Sequence, residues 1–110
     1  MSKVSRACEF NRKTRAIIYE RDNHKCVIPH CTNSFGLGVA HIFVPRSKGG
    51  LGKKENGVLL CQYHHNMLDN GNNAEQSKKI EQYTKDYLRA RYEFRERDLI
   101  YNKWNGFKYE

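Results

Sequence analysis

The chain has 110 residues, twenty Lys and Arg against twelve Asp and Glu, and a formal net charge of +8. That length makes one small domain with a modest core, and the basic excess attracts polyanions, of which nucleic acid is the commonest. No stretch approaches the ~18 apolar residues of a membrane span, so no membrane partner is expected.

Hydrophobic residues make up 38% of the chain, thin for a core yet rich enough in Tyr, Phe and Ile to exclude wholesale disorder. The opening MSKVSRACEF lacks the apolar segment of a signal peptide, which makes a reducing cytoplasm the expected location. In that compartment four cysteines point to metal binding or chemistry rather than to disulfides.

In chain order, RKTRAIIYERD (12 to 22) sets Ala16, Ile17 and Ile18 among charges and predicts a short amphipathic helix ending near Asp22-Asn23. CVIPHCTNSFG (26 to 36) is turn chemistry and predicts a knuckle-like loop. LGVAHIFV (37 to 44) and GVLLC (57 to 61) predict two strands joined by a Gly-rich basic loop. QYHHNMLD follows as a two-turn helix, with Asn70-Gly71 suited to a left-handed stop. From Ala74 to about Arg97, the recurrence of Ile80, Tyr83, Tyr87, Leu88 and Tyr92 predicts one long helix whose stripe packs on the domain. Trp104 and Phe107 in the tail would either fold back or meet DNA.

Cys26-x4-Cys31 and Cys61-x2-His64 are two close ligand pairs separated by 29 residues. Three thiolates and one imidazole suit tetrahedral zinc without an open position, hence a structural site. Such a site supplies ~10 kcal/mol or more of folding free energy, which a thin core lacks. Cys8 stands apart and reads as an ordinary thiol. His30, inside the knuckle, and His24 read as exposed, His24 with a phosphate contact. If His64 goes to zinc, His65 projects ~100° further round the helix. Asp69 lies four residues on, on the face of His65, so the pair can hold a second, catalytic cation.

Taken together, Cys26-x4-Cys31, AHIFVPRSKGG, and ENGVLLC followed by two residues and a double histidine resemble the HNH endonucleases. These belong to the ββα-metal (His-Me finger) nuclease superfamily, and the likeness is to its zinc-stapled subgroup, common among phage and bacterial proteins. It covers about residues 20 to 71, leaving 1 to 19 as an N-terminal helical flank and 72 to 110 as a C-terminal helical extension. The resemblance implies an α+β fold and a one-metal DNA endonuclease. His41 would be the general base on water, Asn56 the residue orienting it, and His65, with Asp69 as a further ligand, the seat of Mg²⁺ or another divalent cation such as Mn²⁺ or Ni²⁺.

The chain departs from the family pattern at Ala40-His41-Ile42-Phe43-Val44-Pro45. Aligned on the histidine, one residue is inserted before Pro45 and a metal ligand is lost to Ala40. Aligned on Pro45 and the Gly-Gly, His41 becomes the ligand and Ile42 falls on the base position. The first alignment is preferred because a one-residue loop insertion costs little, whereas Ile cannot accept a proton.

Arg46, Lys48, Lys53 and Lys54 lie in the Gly-rich connection, where they can neutralise phosphates without reading sequence. The resemblance implies duplex DNA as partner, with a second copy or a phage or bacterial protein as a further one. The competing expectation is a zinc-stapled DNA-binding module of the same ancestry that has lost cleavage.

Overall fold

The computed structural model describes residues 3–70 and 74–101. The expectations for Gly71, Trp104 and Phe107 lie outside the described residues. The order is α1 (Lys3–Cys8), α2 (Arg12–Arg21), β1 (Gly38–His41), β2 (Gly57–Leu60), α3 (Gln62–Asn70) and α4 (Ala74–Arg89), with short 3₁₀ turns at Arg46–Lys48, Lys54–Asn56 and Glu96–Leu99. The architecture is α+β: a two-stranded antiparallel sheet, a helix directly after it, and helices before and behind. No helix among the described residues is long and apolar enough to cross a membrane.

Local chemistry sets the ends of α2. Asn11 caps it by accepting from the Thr14 N–H at 2.8 Å, satisfying an otherwise orphaned donor. At the other end Asn23 takes a left-handed conformation (φ 58°), and the N–H groups of His24 and Asn23 return to the carbonyls of Tyr19 (2.8 Å) and Glu20 (3.2 Å). That is a Schellman closure with Asn in place of Gly. Arg21 then forks onto Asp22, Nε to Oδ1 at 2.6 Å and a second nitrogen to Oδ2 at 2.8 Å, and donates to the carbonyls of Lys54 and Gly57. Asp22, 5% exposed, also accepts from Leu59 N–H and from the Tyr87 hydroxyl. One buried carboxylate thereby ties α2, β2 and α4 together with every lone pair used, the condition under which a buried charge is tolerated.

The strand register pairs Gly38 with Leu60, Val39 with Leu59, Ala40 with Val58 and His41 with Gly57. Alternation sends Ala40, Val58 and Leu60 into the main core with Ile42, Leu88 and Leu99. His41 and Val39 share the opposite face, where the Phe10 ring covers them: the Phe10 and His41 ring centres are 4.5 Å apart. A Cβ on Gly57 would come within 2.5 Å of the Phe10 ring and 2.8 Å of Val39, so glycine leaves room for that ring against the sheet.

Two expectations need correction. Ladder pairing stops at His41 rather than running to Val44, because the N–H groups of Phe43 and Val44 both turn to the Asn56 side chain. The last helix ends at Arg89 rather than near Arg97. Beyond it Phe94 packs edge-on against Phe43 at 4.9 Å, Tyr92 lies under the Lys54 ammonium, and the Leu99 carbonyl accepts from Leu51 N–H at 2.7 Å. These contacts with the β1–β2 connection are incompatible with a continuing helix, and tertiary packing overrides the 3.6-residue stripe.

Candidate functional site

The knuckle hangs from β2 by the Val27 N–H to Leu59 carbonyl bond at 3.0 Å, and its turn closes through Cys31 N–H to Ile28 carbonyl at 3.1 Å. Cys61 directly precedes α3, and the N–H groups of Tyr63 and His64 favour its charged sulfur, as the positive end of a helix should. The ligand atoms of Cys26, Cys31, Cys61 and His64 all lie within 4.8 Å of one another. Cys26 Sγ to His64 Nδ1 is 3.5 Å, Cys61 Sγ to His64 Nδ1 is 3.2 Å, and Cys31 Sγ to Cys61 Sγ is 3.9 Å. Zinc–sulfur and zinc–nitrogen bonds of ~2.3 and ~2.0 Å at tetrahedral angles give edges of ~3.5 to 3.8 Å. The four residues are therefore close enough to hold a metal ion, and a structural zinc fits the donor set.

Electrostatics across this cluster are uneven. Burial pushes the Cys26 thiol up to about 11. Burial acts the same way on Cys61, but the His64 N–H and its hydrogen bonds with Cys31 and Cys26 outweigh it and leave that thiol below its ordinary value. Burial also lowers His64, favouring the neutral imidazole that a metal requires. His30 is exposed, in a left-handed turn at φ 66°, and His24 is exposed as well; neither belongs to the cluster.

One residue along α3, His65 turns to Asp69, its Nε2 3.0 Å from Oδ2, both side chains about half exposed. The i, i+4 spacing brings the two donors to one helical face. His41 does not join them as a third close ligand, although the Asp69 carboxylate acts on its titration. His41 Nε2 instead meets the carbonyl of Cys8 at the end of α1, at 2.8 Å. A carbonyl only accepts, so Nε2 carries the proton and the neutral ring keeps its lone pair on Nδ1. Burial lowers the pKa of His41 and nearby Arg46 adds to this, against the opposing Cys8 and Gly50 carbonyls and Asp69.

The hydrogen bond expected from Asn56 to the His41 ring does not form. Asn56 is 0% exposed. Its Oδ1 accepts from the N–H groups of Phe43 (2.8 Å) and Val44 (3.1 Å), and its Nδ2 donates to the carbonyls of Val44 and Leu51, each at 3.0 Å. Both amide hydrogens are spent, so Asn56 pins the loop that follows His41, while the Cys8 carbonyl orients the ring. Ile42 is 7% exposed and packs in the core, away from the face of His41.

The loop pinned by Asn56 needs its glycines. Gly49 sits at φ 80°, and a Cβ on Gly50 would come within 1.8 Å of the Val44 carbonyl oxygen. Arg46, Lys48 and Lys53 are exposed on it and Lys54 is half-buried over Tyr92. Between the loop, β1 and the start of α2 lies a cleft of about 440 Å³ lined by Glu9, Phe10, Arg15, Val39, His41 and Arg46. Arg15, Phe10 and the Cys8 carbonyl were not anticipated as parts of this site. The only sequence signal for Arg15 was its place among the charges of the amphipathic segment 12 to 22, and a main-chain carbonyl has no signature at all.

Compared with family models, with curated proteins and with solved structures, the chain finds no match.

Proposed function

We propose that the chain is a metal-dependent DNA endonuclease of the HNH type, with His41 as general base and with His65 and Asp69 as ligands of a divalent cation. The observation that carries this reading is the division of labour on α3. His64 turns into the thiol cluster, while the next residue faces away onto a carboxylate, whose charge also acts on the half-buried, neutral-leaning histidine of β1.

His41 donates Nε2–H to the Cys8 carbonyl and would accept a proton from water on Nδ1, a task suited to an imidazole that is neutral near pH 7. Asn56 acts through the loop backbone, holding Arg46 and Lys48 where they can contact phosphate oxygens. The nitrogen and carboxylate donors of His65 and Asp69 fit Mg²⁺, Mn²⁺ or Ni²⁺. When bound, such a cation supplies charge that offsets the scissile phosphate and its leaving oxygen. The core position of Ile42 supports the alignment that keeps His41 as base over the one that places Ile42 there.

Supercoiled plasmid incubated with the zinc-loaded protein and added Mg²⁺, Mn²⁺ or Ni²⁺ tests the proposal. Nicking that needs the added ion and that His41→Ala reduces by ~10²-fold or more supports it. Gel shifts with no cut in any of the three ions would leave the DNA-binding module instead.

A further inference from the structure

We infer that the cleft beside His41 is a second phosphate seat on the substrate strand, in which Arg15 of α2 and Arg46 of the loop grip a phosphodiester next to the one that is cut. This deepens the proposed function and rests on its DNA substrate. Six side chains line the cleft, and two of them are guanidiniums contributed by separate elements, with His41 between strand and loop. Arg15 is exposed and has no carboxylate partner among the described residues. Among the described residues the Arg46 side chain makes long polar contacts, 3.4 Å to the Ser5 carbonyl and 3.9 Å to Glu9.

Those weak tethers aim the Arg46 fork without saturating it, and two oxygens of a phosphate accept parallel N–H bonds from such a fork. Phe10 closes the floor by packing on His41, so an anion entering the cleft rests on an apolar wall with donors on two sides. Glu9 is the one acidic side chain lining the cleft. It competes with the anion for Arg46, so removing its charge should have the opposite effect from removing Arg15.

The test is fluorescence anisotropy of the full zinc-loaded chain with a short labelled DNA duplex, without added divalent cation, across a salt series. Arg15→Gln, a conservative change at an exposed helix position, is expected to weaken binding about tenfold and to reduce the salt slope by about one. Glu9→Gln should tighten binding severalfold, and Lys13→Gln, on α2 but outside the cleft, should change it less than about twofold. Equal losses for Arg15→Gln and Lys13→Gln, a weaker Glu9→Gln, or no binding by the wild type overturns the inference. Wild-type binding without nicking in any cation, with the Arg15 and Glu9 effects intact, removes the nuclease reading and leaves the phosphate seat. Nicking by a wild type whose affinity Arg15→Gln leaves unchanged does the reverse.

Discussion

Around His64, three sulfurs from the knuckle and the end of β2 converge with one ring nitrogen, all within 4.8 Å. Around His41 and His65 the donors stay apart: one ring is bonded to a backbone carbonyl, the other to its own helix neighbour Asp69. The first arrangement is closed, with four donor atoms facing one another, as suits an ion that holds a fold. The second is open and each group is held singly, as suits an ion and a substrate that come and go. On the proposed reading, a thin core would depend on the first, whereas the second could be altered with the fold intact.

The most severe way to break this contrast is at the closed centre. Cys61→Ser removes a ligand at the junction of β2 and α3 and should forfeit most of the ~10 kcal/mol that zinc contributes, giving an unfolded circular dichroism spectrum and no bound zinc by metal analysis. A folded, zinc-free variant would show that the sheet and helices hold without the staple. Asn56→Ala strands two N–H groups and two carbonyls in a fully buried place. It should cost about 3 kcal/mol or more in denaturant unfolding with zinc still bound; a loss below about 1 kcal/mol would mean the loop has another anchor. The smallest effect sharpens the open side. Burial keeps His41 below its ordinary value, so the neutral base predominates at pH 7, and nicking should fall about tenfold per unit once the pH drops below that lowered pKa. A rate that climbs on acidification would remove His41 as base.

Much of the closed centre was legible because its ligands come as two short-range pairs flanked by turn residues and a strand, all local signals. The hairpin was legible for the same reason, from two apolar runs and the Gly-rich link between them. The contacts that orient His41 were not legible. Cys8 is 33 residues away, and its contribution is a carbonyl that any residue could supply. Asn56 was expected to orient the His41 ring, but whether its amide faces a ring or a loop depends on where Phe43 and Val44 leave the ladder. The end of α4 was misjudged because Tyr92 continues the helical stripe, while Phe43 and Lys54, which draw residues 92 to 94 aside, lie far back in the chain. The Arg21–Asp22 pair passed unnoticed as two charges at a helix end, although it joins three elements.

The central claim is that neighbouring histidines of α3 serve different ions. It is tested most directly by His65→Ala, assayed for plasmid nicking in added divalent cation with zinc measured on the same sample. The account predicts about one zinc per chain, as in the wild type, with nicking reduced by ~10²-fold or more. Wild-type nicking, or loss of the zinc, would contradict it.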